Sequence, residues 1–127
     1  MTQGTVIPLW ELEPNHVLTE SHGFVIQIKR HPSLGHLCGY VYIEGEPLAA
    51  YCYDELGVHG GWTYHERKDG VSILGFDCGH AGDKSPYIEE HRNSPYGEVY
   101  RDIYFVLSEL HRVTQQLADN LSANPVN

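Results

Sequence analysis

The sequence predicts an α+β fold in which a small antiparallel sheet of about four strands packs against one long C-terminal helix. Three observations carry this expectation. Apolar and polar residues alternate in two neighbouring stretches, 23–30 and 36–44. An Asp69-Gly70 turn joins two further strand-like runs. From about Gly97 to Asn120, apolar residues recur at helical spacing. No repeat or linker divides the 127 residues, a length that suits a single domain with one modest core.

The first strand runs from Gly23 to Arg30, where Phe24, Ile26 and Ile28 alternate with Val25, Gln27 and Lys29. His31-Pro32-Ser33-Leu34-Gly35 ends it and returns the chain as a hairpin. The second strand, His36 to Glu44, sets Leu37, Gly39, Val41 and Ile43 on one face and His36, Cys38, Tyr40 and Tyr42 on the other. Glu44-Gly45-Glu46-Pro47 reads as a turn, and residues 48–56 fit either a short helix or an irregular connection.

The third strand, 58–66, separates Val58, Trp62 and Tyr64 from His59, Thr63 and His65, with Gly60 and Gly61 allowing a backbone or ligand to approach closely. After the turn at Asp69-Gly70, Val71 to Cys78 folds back as its partner. Residues 79–95, punctuated by Gly, Pro, Asp, Asn and Ser, read as a long loop, and such loops are functional more often than not. Val99, Ile103, Val106, Leu107, Leu110, Val113, Leu117 and Leu121 form the stripe of the final helix, with Ser94-Pro95 as its start chemistry. Residues 1–20 and 121–127 are expected to be irregular. One face of the sheet, or an edge, is left for a site.

Composition narrows the function classes. A formal charge of −9 repels phosphate backbones and argues against direct nucleic-acid binding, while it suits either solubility or a basic protein partner. Nine histidines offset part of that charge below about pH 6.5. No apolar run approaches the roughly 20 residues of a membrane span, and the N-terminus lacks the pattern of a signal peptide, so the expected compartment is the cytosol. Cys38, Cys52 and Cys78 are odd in number and form no C-x-x-C pair, which reads as three buried thiols without a disulfide framework.

The candidate site lies where ligand-capable residues meet glycines, in VHGGWTY (58–64) and GFDCGHAGD (75–83). The turn at Asp69-Gly70 lies midway between His59 and His80 and brings them side by side. Strand alternation puts Cys78 and His80 on one face and Asp77 on the other. In a metal-free reading His59 or His80 is a general base oriented by Asp77 or Asp83, with Gly60, Gly61 and Thr63 shaping the ligand seat. In a metal reading, zinc or another divalent ion is held either by His59, Cys78 and His80, with His36 or Cys38 in reach, or by the harder set His59, Asp77, His80 and Asp83. Cys78 as a nucleophile is disfavoured by its place in a buried strand. Asp54 and Glu55 read as solvated acids, and Arg101 with Asp102 as an exposed pair on the helix, with reach to the loop as the alternative.

The blocks GHLCGYVYI, YDEL, VHGGWTY, GFDCGHAGD and YRDIYFVLSELHRVTQQL, spread over residues 35–121, resemble a family of small proteins encoded by bacteriophages and prophages. The resemblance implies action in the bacterial host cytosol. It also implies that His59, Gly60, Gly61, Thr63, Asp77, Cys78, His80, Gly82 and Asp83 belong to the family's motifs, HGG-x-T-Y and G-F-D-C-x-H-x-G-D. It carries no reaction with it. The chain departs from that pattern at Trp62, where a smaller aliphatic residue is usual, and at Gly79, where alanine is usual.

Two functions follow as expectations. One is a His/Asp site that binds or hydrolyses a small, nucleotide-like ligand. The other is a non-catalytic acidic inhibitor that occupies a basic site on a host protein, as an anti-defence protein would.

Overall fold

The structure, a computed structural model, describes residues 6–88 and 97–123. A one-turn helix α1 (Leu9–Leu12) leads into strands β1 (His16–Ser21), β2 (Phe24–Arg30) and β3 (Leu37–Glu44). Helix α2 (Glu46–Glu55), strands β4 (Tyr64–Lys68) and β5 (Val71–Asp77), and helix α3 (Ile103–Ala123) complete the order. All strand pairs are antiparallel, in the order β1-β2-β3-β5-β4.

The sheet therefore has five strands, one more than the sequence pattern indicates. The added strand, β1, lies in the stretch expected to be irregular. It is an edge strand, mostly exposed on both faces, so it carries no apolar alternation. What it does carry is its turn: His22 and Gly23 both have positive φ, at 50° and 87°, which is the geometry of a two-residue hairpin.

The β4–β5 hairpin turns at Asp69-Gly70 as expected, with Lys68 opposite Val71. β4 itself starts at Tyr64, six residues later than the pattern 58–66 suggests. Gly60 and Gly61, with φ of 69° and 83°, turn the chain out of the sheet, and the Gly61 amide donates to the Val58 carbonyl at 2.9 Å. Trp62 then packs edge-on to Phe76 and donates its indole N–H to the Leu56 carbonyl at 2.7 Å. Residues 48–55 belong to α2, which buries Ala49 and Cys52 against the sheet.

The core forms between the sheet and α3. From the sheet come Ile26, Ile28, Leu37, Val41, Ile43, Leu74 and Phe76, and from the helix Ile103, Val106, Leu110, Val113 and Leu117. The helix begins at residue 103 rather than near 97, because Asp102 Oδ1 accepts the Phe105 amide at 2.8 Å and caps it. The start signal expected at Ser94-Pro95 lies outside the described residues. Val99, expected on the helical stripe, is exposed and instead bridges Asp83.

Cys38, Tyr40, Tyr42, Gly75, Asp77 and Tyr64 share the face of the sheet turned away from this core. Among the described residues, no helix is long and apolar enough to cross a membrane.

Candidate functional site

The loop that follows β5 is tied to the chain entering α3. The Val99 amide donates to the Gly82 carbonyl at 2.9 Å, and the Lys84 amide donates to the Val99 carbonyl at 2.8 Å. Between these two bonds sits the buried Asp83. A carboxylate enclosed in this way needs donors. It has three: His59 Nε2 at 2.8 Å and the His80 amide at 3.2 Å on Oδ2, and Arg101 Nε at 3.0 Å on Oδ1. The Arg101 guanidinium lies 4.9 Å from the Phe105 ring centre, and the His59 ring meets the same ring edge-on at 5.0 Å.

His59 is anchored through its backbone as well. Its amide donates to Glu109 Oε1 at 2.8 Å, while Arg112 bridges Glu109 Oε2 at 3.0 Å and the Gly57 carbonyl at 2.9 Å. Helix α3 thus clamps the segment 57–59. Because Asp83 accepts from Nε2, the neutral ring of His59 carries its proton there and presents Nδ1 as the lone-pair nitrogen. That is the tautomer control required of a general base.

His59 and His80 meet, as the position of the hairpin turn suggested, with ring centres 6.3 Å apart. His80 Nε2 lies 3.4 Å from Asp77 Oδ1 but is not aligned for a hydrogen bond, and among the described residues this buried nitrogen has no partner. The ring rests on Gly60, where a Cβ would stand 2.1 Å from His80 Cδ2. The two neighbouring glycines should therefore respond differently. Gly60→Ala is expected to displace the His80 ring as well as strain the backbone. Gly61→Ala meets nothing within 4 Å, and only the left-handed backbone is expected to cost about 1–2 kcal/mol. Thermal unfolding of both variants, with NMR of the His80 ring protons, tests this; equal effects on the ring would contradict it.

Alternation separates Asp77 from Cys78 as expected, but β5 ends at Asp77, and His80, expected on the Cys78 face, turns back to lie beside Asp77 and over Gly60. Cys78 is buried on the core side, and burial pushes its thiol well above the ordinary range, so it is not poised as a nucleophile. Asp77 faces the opposite side, where it accepts the Gly79 amide at 2.9 Å and the Thr63 hydroxyl at 3.1 Å. It does not touch the His59–Asp83 pair. Asp83, expected among the ligand contacts, has a side chain only 1% exposed and bonds His59 from within the fold.

Neither zinc set is grouped among the described residues. Cys78 points into the core, Asp83 is already engaged by Arg101 and His59, and among the described residues no three His, Cys, Asp or Glu side chains are grouped to hold a metal ion. Asp54 and Glu55 are exposed on α2, as expected.

Arg101 reaches the loop instead of pairing with Asp102, and Phe105 and Glu109 join the site unforeseen. Their signal is present in the sequence: Phe105, Glu109 and Arg112 recur at spacings of four and three on one helical flank, beside the apolar stripe.

His36, also buried, adjoins this region and bonds Ser85 through Nδ1 at 3.2 Å. Burial lowers its pKa below the ordinary 6.5, outweighing the opposing pull of Asp77. A histidine with a depressed folded pKa binds fewer protons in the native state than in the unfolded chain. Its contribution is present above pH 6.5 and is lost as pH falls from there toward the folded pKa. His36→Gln is expected to flatten that part of the stability–pH profile relative to the parent, measured by urea unfolding between about pH 7.5 and 5.

Comparison of the chain with protein-family models, with curated proteins and with solved structures finds no match.

Proposed function

We propose that the protein is a phage-encoded accessory protein of the bacterial cytosol whose His59 site binds or hydrolyses a small, nucleotide-like ligand. The observation that carries this reading is His59 held through Nε2 on the buried Asp83, which is itself held by Arg101. A histidine that served only as packing would not need a buried, positively paired carboxylate to select its tautomer. In the proposed chemistry, His59 Nδ1 takes a proton from the ligand or from an attacking water, and the imidazolium that forms is stabilised by Asp83. His80 supplies a second polar contact, and the partly exposed Arg101 guanidinium offers its remaining N–H groups to an anionic substituent.

Thermal stabilisation across a panel of nucleotides and phosphoesters tests the reading. At least one compound is expected to raise the Tm of the parent protein, and the rise is expected to vanish in His59→Ala and to shrink in Arg101→Gln. If nothing in the panel stabilises the parent, or if His59→Ala responds as the parent does, the proposal fails.

The charge of −9 favours a second reading, an acidic inhibitor seated on a basic host protein. It requires a basic partner that is captured at low salt and released as salt screens the contact. It also requires that His59→Ala leave capture intact.

A further inference from the structure

The sheet face turned away from α3 holds a cleft of about 450 Å³, within the range of small-ligand sites and distinct from the His59 pair. Its floor is built on alternate residues of one stretch of chain. Gly75 and Asp77 point to this face, and Gly79 follows two residues later. A Cβ on Gly75 would stand 2.7 Å from the Tyr40 ring, and one on Gly79 would stand 2.7 Å from the His36 ring. The two rings therefore lie down on the two glycines, with the Asp77 carboxylate between them.

Tyr64, edge-on to Tyr40 at 5.6 Å, extends one wall, and His31, 5.0 Å from His36, extends the other. Asp77 is the one carboxylate among the residues lining the cleft. Its side chain is 29% exposed. Thr63 bonds its Oδ2 and Gly79 its Oδ1, and His80 Nε2 stands 3.4 Å from Oδ1 without bonding it, so two of the roughly four lone-pair directions of the carboxylate remain for further N–H groups, the one on Oδ1 beside the His80 ring.

We propose that this cleft binds small molecules with a flat, nitrogen-rich head, an amidinium, a guanidinium or the amine-bearing edge of guanine, through paired N–H bonds to Asp77 between the rings of Tyr40 and His36. Charge and shape agree. Burial holds the Cys38 thiol up at about 11 and the Tyr40 phenol at about 12, which leaves Asp77 as the one carboxylate lining the cleft, with Lys29 beside it at the Cys38 edge. Lys29 Nζ already lies 5.4 Å from the Tyr40 ring centre, so a rounded onium ion gains less from that ring than a flat head that reaches Asp77. The paired donors match a carboxylate as an arginine fork does.

Titration of the full-length protein by NMR with benzamidine, benzoate, guanosine and inosine tests the assignment. Benzamidine or guanosine is expected to give saturable shifts at the amides of Tyr64 and Asp77. Benzoate, with a carboxylate in place of the amidinium, and inosine, without the exocyclic amine, are expected to bind about tenfold more weakly or not at all. Saturation by benzamidine alone means that the head must be charged, and saturation by guanosine means that the neutral edge suffices; both support the site. Asp77→Asn, which keeps an acceptor for the Gly79 amide, is expected to lose about tenfold in affinity. Tyr64→Ala on the exposed edge strand is expected to lose affinity without unfolding. The proposal is overturned if neither benzamidine nor guanosine saturates at millimolar concentration, if benzoate binds as well as benzamidine, or if both variants bind as the parent does.

Discussion

Glu13→Ala is expected to destabilise the protein by about 3 kcal/mol, the scale of breaking a buried ion pair from one side. Glu13 lies outside any regular strand, yet it holds three parts of the fold together. Its Oε2 accepts the Ile103 amide at 2.8 Å, at the start of α3, where a carboxylate also complements the helix dipole. Its Oε1 accepts the Tyr100 hydroxyl at 2.5 Å and lies 3.5 Å from Arg30.

The Glu13 and Arg30 side chains are 7% and 2% exposed, so neither is rehydrated when its partner is removed. Arg30 keeps bonds to Asn15 Oδ1, the Gly35 carbonyl and the Tyr100 hydroxyl, which places the loss at the lower end of the range for buried pairs. Tyr100→Phe removes the hydroxyl that bridges Glu13 and Arg30 and is expected to cost about 1.5–3 kcal/mol, the range for hydrogen bonds to charged groups. Urea unfolding of the two variants and of their combination measures both effects and their coupling. If Glu13→Ala unfolds within about 1 kcal/mol of the parent, the cluster does not support the helix start in the way described.

The second large effect is expected at Asp83. Asp83→Ala removes the acceptor for His59 Nε2, Arg101 Nε and the His80 amide together. Arg101 is 30% exposed and His59 20% exposed, so both recover some hydration, and a loss of about 2–4 kcal/mol follows instead of the larger value for a fully enclosed triad. Asp83→Asn keeps one carbonyl oxygen but turns an N–H toward a donor, so it is expected to fall between the parent and alanine. Either variant frees His59 to adopt the other tautomer. Ligand-induced stabilisation should therefore disappear in Asp83→Asn even at temperatures where the variant remains folded, as measured by circular dichroism alongside the thermal shifts. Retention of the full ligand response in a folded Asp83→Asn protein would remove the role assigned to this pair.

Much of the architecture is legible in the amino-acid sequence, because it rests on local rules. Alternation marks β2 and β3 since each has one face in the core. Asp69-Gly70 marks its hairpin because few residue pairs accept two positive φ values, and the stripe from Ile103 to Leu117 marks α3 through its helical period. The same rules bring His59 near His80 and place Asp77 and Cys78 on opposite faces.

The remaining features depend on contacts between distant segments. β1 is an edge strand with little burial to pattern it, and β4 is shortened by the turn at Gly60-Gly61. Whether Arg101 pairs with its neighbour or with Asp83 depends on the path of the loop, which the bridge from Val99 to Asp83 fixes across 16 positions. The charge of a residue is written in the sequence; its partner is set by which distant segments share one buried space, and that is why Asp83 holds His59 while Asp77 is left to the opposite face.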